Sequence, residues 1–101
     1  MKTTPKTLRP DHRYIKIKID DEEPKDFSQT VELIENTVRK FSGDKGLAQV
    51  SPKLLKGLFQ FQNQQAVVRV RKEYENLFKA SIAVSKTRIY TVKVSGTQES
   101  L

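Results

Sequence analysis

The sequence predicts one α+β domain, a four-stranded antiparallel sheet carrying two main helices on one face. Three observations point there. Apolar residues alternate with period two over residues 13–19, 66–71 and 88–95, the signature of half-buried strands. They switch to helical spacing over residues 26–43 and 72–85. The length of 101 residues supports one hydrophobic core, because two would each be marginal.

Residues 1–12 hold Pro5 and Pro10 among polar and basic neighbours and read as a basic arm. In the first strand Ile15, Ile17 and Ile19 share one side, with Lys16 and Lys18 on the other. From Asp26 the period changes, and Phe27, Val31, Ile34, Val38 and Phe41 fall on one helical face. Asp26 followed by Gln29 has the spacing of a capping box, and Gly43 stands where a helix would terminate. Residues 44–52 fit either a short helix or the entry to a strand. Leu54–Gln62 reads as the second strand, with Phe59 and Phe61 on its inner face, and Asn63-Gln64 as a hairpin turn. In the third strand Ala66, Val68 and Val70 alternate with Val67, Arg69 and Arg71. Tyr74, Leu77, Phe78, Ser81 and Ile82 mark the second helix. In the last strand Tyr90, Val92 and Val94 are expected inward, and Ile89, Thr91 and Lys93 outward.

The order strand, helix, strand, strand, helix, strand is the split β-α-β arrangement of ferredoxin-like folds, with spatial order 4-1-3-2. The domain is expected to span residues 13–95, followed by a short tail, 96–101.

Composition narrows the chemistry. The chain has no Cys and one His, which excludes thiolate metal sites, disulfides, cysteine nucleophiles and any two-His metal site. A catalytic role for His12 with Asp11 lacks a scaffold, and the acids of Asp20–Asp26 lack the spacing of a calcium loop. No phosphate-binding glycine loop is present. No apolar run is long enough to span a membrane, and the N-terminus lacks the apolar stretch of a signal peptide, so an intracellular, cytoplasmic setting is expected.

The net charge of +7 is segregated. Residues 1–19 carry six basic groups and one acid, residues 20–35 seven acids and one base, and residues 36–101 twelve bases and four acids. With the apolar positions under the helices, the opposite sheet face presents Tyr14, Lys16 and Lys18, then Arg69 and Arg71, then Lys93, with no acid among them. Such a face suits a polyanion, because neutralising phosphates releases counterions. The competing reading is a solvated surface, since exposed strands carry Lys and Arg for solubility and edge protection. With Tyr14 as the one ring on this face, contact is expected with backbone and shape rather than base sequence. Leu33, Leu54 and Leu58 fall off the expected inner faces and are candidate protein contacts.

Several segments in order resemble one family. They are Leu8-Arg9-Pro10 and Arg13-Tyr14-Ile15, Phe41-Ser42-Gly43-Asp44 and Gly46-Leu47-Ala48, Val68-Arg69-Val70, and Val92-Lys93-Val94-Ser95-Gly96-Thr97. Together they resemble protein component 2 of archaeal ribonuclease P, the family shared with the Pop and Rpp14-type subunits of the eukaryotic enzyme. The resemblance implies a ferredoxin-like, RNA-recognition-like fold and an accessory subunit that is not itself catalytic. It further implies a TIM-barrel-like partner, protein component 3, in a 2:2 heterotetramer on ribonuclease P RNA. That RNA, with its own bound magnesium, removes the 5′ leader of precursor tRNA; the protein needs no cofactor and meets the tRNA indirectly. Arg13, Tyr14 and Arg69 lie on matched segments and are the RNA contacts the resemblance favours, while Lys16, Lys18, Arg71 and Lys93 rest on the face argument. The alternatives are another ribonucleoprotein component, such as a small ribosomal protein, or a small ferredoxin-like enzyme.

Overall fold

A computed structural model describes residues 12–85 and 88–96; the expected arm, but for His12, and the tail beyond Gly96 lie outside the described residues. The elements are β1 (His12–Ile19), α1 (Phe27–Val50), β2 (Lys53–Leu54), β3 (Gln65–Arg71), α2 (Glu75–Ala83) and β4 (Ile89–Ser95). The strands form one sheet of order β2-β3-β1-β4, antiparallel throughout, which read from the β4 edge is the expected 4-1-3-2. His12 belongs to β1 rather than to the arm.

The core is built from alternate strand residues and the inner stripes of the helices. Ile15, Ile17 and Ile19 of β1 join Ala66, Val68 and Val70 of β3, Ile34 and Val38 of α1, and Phe78 and Ile82 of α2 in one buried cluster. Each fully buried Val, Ile or Phe of this cluster contributes about 1.5–3 kcal/mol. The helices also bury small polar residues. The buried Thr30, Thr37 and Ser81 donate their hydroxyls to the carbonyls of Asp26, Leu33 and Leu77 at 2.8, 2.7 and 2.8 Å. These bonds satisfy groups that would be costly to bury unpaired.

The start of α1 is as the sequence implies. The Asp26 carboxylate accepts from the Gln29 N–H at 2.8 Å, and Gln29 Oε1 accepts from the Asp26 N–H at 2.9 Å. The first helical run ends at Gly43, as the sequence implies. That residue takes φ 76°, ψ −179°, a conformation essentially confined to glycine, and a second helical segment follows. It buries Gly46 and Val50 and ends at Ser51, whose left-handed backbone donates to the Leu47 carbonyl. Residues 44–50 are therefore helix. Phe41 lies on the expected face, but Val84 and Ser85 beside it stand where α2 has ended, so the ring is exposed.

β2 is far shorter than expected. After Leu54 the chain makes a single helical turn at Lys56–Leu58 and rejoins the sheet only at a bridge between Gln60 and Gln65. The turn breaks the pleat, so Phe59 and Phe61 separate. Phe59 packs edge-on to Phe27, centroids 5.8 Å apart, whereas Phe61 is exposed. Gln64 closes the hairpin at φ 51°. Its side-chain amide accepts from the Lys25 N–H at 2.8 Å and donates to the Lys25 carbonyl at 3.1 Å, tying the β1–α1 loop to this turn.

β4 departs from simple alternation. Tyr14, Ile15 and Lys16 pair with Ser95, Val94 and Lys93, but Ile17, Lys18 and Ile19 pair with Thr91, Tyr90 and Ile89. Val92 is the extra residue of a β-bulge, which flips the strand's sidedness. Ile89 therefore faces the core and is buried, Tyr90 and Val92 are exposed, and Val94 packs on the core as expected.

Three stability outcomes follow from these placements. Gly43→Ala is expected to cost about 1–3 kcal/mol, because the backbone conformation is unfavourable for a side chain although a Cβ would meet nothing within 4 Å. Leu54→Ala should cost about 2–5 kcal/mol by leaving a core cavity, since Leu54 is 8% exposed and Leu58 37%. Leu58→Ala should stay within about 0.5 kcal/mol of wild type. Urea-unfolding midpoints measure all three.

Candidate nucleic-acid interface

Core packing of Ile15, Ile17 and Ile19 dictates what β1 presents on the other face of the sheet. Pairing registers place the neighbours. His12 stands opposite Arg71, Tyr14 opposite Arg69, Lys16 opposite Val67, and Lys18 opposite Gln65 on β3. On the β4 side Lys16 stands opposite Lys93 and Lys18 opposite Tyr90. Arg69 in turn faces Lys53 of β2. Tyr14, Lys16, Lys18, Arg69, Arg71 and Lys93 thus share one face, as the alternation implies, and Lys53 joins them.

Among the described residues, no strand contains an acid. Among the described residues, none of the ion pairs involves Lys18, Lys53, Arg69, Arg71 or Lys93. Setting Lys16 directly across from Lys93 disfavours pairing in isolation, since like charges on facing positions repel. An anionic occupant reverses the sign of that term. The face also has an apolar floor. Val67 is 3% exposed although it sits outside the helix-side core cluster, and Leu55 lies opposite it, its N–H donating to the Val67 carbonyl at 3.0 Å.

Arg13 falls elsewhere. It shares the parity of Ile15, and its Nε lies 3.4 Å from Glu75 at the start of α2, where Lys79 also pairs with that carboxylate at 2.7 Å. It lies on the other side of the sheet from the basic face and stays partly exposed. Leu54 is a correction: opposite Val68, it belongs to the core and is no free contact surface. Leu33 packs on the core and lines a cleft of 470 Å³ between the helices with Thr37, Phe41, Ser81 and Val84. Leu58 remains exposed on the turn after β2.

Lys53 and Tyr90 were hidden from sequence reasoning. Lys53 precedes the point where the second strand was expected to begin, and Tyr90 is turned outward only by the bulge. The far end of the face is acidic. Arg88 Nη1 lies 3.7 Å from Asp20 Oδ2, and the loop beyond carries Asp21, Glu22 and Glu23. A hydrogen bond from Lys25 holds the Asp21 carboxyl below the usual carboxylate range, at an N···O distance of 3.1 Å.

Among the described residues, no group of three or more His, Asp or Glu side chains is placed to hold a metal ion, and no helix is long and apolar enough to cross a membrane. The arrangement provides a basic surface with an apolar floor, suited to phosphate-rich chains.

None of the curated proteins matches the sequence. A chain in the cryo-electron microscopy structure of yeast ribonuclease MRP has the same fold, with a TM-score of 0.70 at 17% identity over 96% of this chain and 79% of that one. The profile of the Rpp14/Pop5 family, a ribonuclease P family, matches residues 13–101. With the match spanning nearly the whole domain, the chain belongs to the Rpp14/Pop5 family.

Proposed function

We propose that the sheet face away from the helices binds the RNA of a ribonuclease P-type ribonucleoprotein and thereby supports cleavage of the 5′ leader from precursor tRNA. Family membership makes the chain a ribonuclease P/MRP-type protein subunit rather than a ribosomal protein or a free-standing small enzyme. The observation that carries the binding surface is the array of Lys16, Lys18, Lys53, Arg69, Arg71 and Lys93 on three adjacent strands and the short β2, none of which contains an acid among the described residues.

On this reading the protein contributes counter-charge and shape, and the RNA with its magnesium performs the hydrolysis. Basic side chains on a rigid sheet hold phosphates at fixed spacing, which lets RNA strands that repel each other approach at lower magnesium. The helix side, with Leu33, Phe41 and Val84 around its cleft, is left for protein contact. The TIM-barrel-like subunit of a 2:2 assembly is the partner we assign to it, in a cytoplasmic setting.

Reconstitution tests the functional reading. The full chain with its barrel-like partner and cognate RNA should raise precursor-tRNA cleavage at limiting magnesium, and no stimulation would refute it. The surface is tested separately. Combined Lys18→Glu, Arg69→Glu and Lys93→Glu should weaken RNA binding and lower the slope of log affinity against log salt by about 0.7–0.9 per lost contact. Arg13→Gln should leave that slope unchanged, because Arg13 already pairs with Glu75. Filter binding across a salt series distinguishes the two variants.

A further inference from the structure

We propose that Tyr90 stacks against an unpaired base of the bound RNA, at the point where the basic face ends. This rests on the RNA-binding reading of that face and adds a base contact to it. Three observations combine.

The first is geometric. The bulge at Val92 turns Tyr90 outward opposite Lys18, leaving it 51% exposed and Val92 50% exposed. β4 is an edge strand, and edge strands are ordinarily guarded by charge rather than by exposed rings. The other tyrosines are less available, with Tyr74 packed against the core and Tyr14 half-buried.

The second is electrostatic. Along β1 the outward rows carry Arg71, then Arg69 with Lys53, then Lys16 with Lys93, then Lys18 with Tyr90. The next row is the Asp20–Arg88 ion pair, and the acids of residues 21–23 follow. A phosphate chain is attracted as far as Lys18 and repelled beyond it. Where the backbone must turn away or end, the surface offers a neutral ring.

The third is chemical. A ring beside a cation suits a nucleotide, the ammonium taking the phosphate and the ring taking the face of the base. Base faces are open only where RNA is single-stranded, since a helix keeps them stacked. The surface should therefore prefer an RNA with an unpaired segment over a continuous duplex, with little sequence preference.

The chain lacks Trp and has three Tyr, so the difference in emission loss between wild type and Tyr90→Leu isolates the contribution of Tyr90. The full-length protein is titrated with a short mixed-sequence single-stranded RNA and with the same sequence as a duplex, each over a salt series. Wild type should bind the single strand more tightly and lose emission on binding. Tyr90→Phe should keep the affinity, whereas Tyr90→Leu should lose about ten-fold for the single strand, the order of one stacked base. Its duplex affinity and salt slope should not change. Circular dichroism confirms that both variants are folded. Single-strand binding by Tyr90→Leu equal to wild type, with the salt slope intact, overturns the stacking assignment alone and leaves Tyr90 to a protein partner. Wild type that binds neither RNA in a salt-dependent way overturns the basic-face reading and the stacking with it.

Discussion

β1 hydrogen-bonds on both sides, to β3 and to β4, while Ile15 and Ile17 are wholly buried and Ile19 is 2% exposed. Because side chains on a strand alternate strictly between faces, burying those three isoleucines leaves Tyr14, Lys16 and Lys18 no direction except outward. Core and candidate interface are therefore two readings of one register. A slip of one residue would put Lys16 and Lys18 into the helix-side core and the isoleucines into water, so hydrophobic burial indirectly holds the cations in place. The same logic on β3, where Ala66, Val68 and Val70 are buried, positions Arg69 and Arg71.

The edge of the sheet works by a different rule. β4 follows the register of β1 at one end and loses it by one residue at the other. The extra residue, Val92, serves two requirements at once. Ile89 closes the core beside Ile19, and Lys93 still lies opposite Lys16 on the outer face. A strand of unbroken alternation would have kept Ile89 and Lys93 on the same side, so one of these placements would have been lost. The bulge separates the two ends of the strand into independent choices.

Much of this was legible in the sequence, for identifiable reasons. β1, β3 and α1 have strong periods because each has one buried and one wet face, and the capping box at Asp26 is a local interaction that its spacing encodes. β4 is legible only in part, because Ile89, Tyr90, Thr91 and Val92 are all good strand residues. Their pattern carries no polarity to reveal which side is inward. β2 is shorter than its pattern because the chain turns at Lys56–Leu58, and pairing resumes only at the bridge between Gln60 and Gln65. For the site, the shared face of Lys16, Lys18, Arg69, Arg71 and Lys93 followed from parity alone. Arg13 shows the converse: its parity with Ile15 was visible, but its pairing with Glu75 spans most of the chain, and only the fold brings them together.

The glycine break in α1 has an electrostatic consequence of its own. Helical dipoles add only along an unbroken run of aligned peptides. Gly43, at φ 76°, divides α1 into two shorter dipoles set head to tail across one non-helical residue. The negative end of the first meets the positive end of the second there. Arg39 lies near that first terminus and Asp44 opens the second, and the two side chains pair across the break at 2.9 Å. Each charge sits at the helix end that favours its sign. The junction is thus a matched joint between two rods, and the direction of the second rod is free to be set by Gly46 and Val50 packing beneath it.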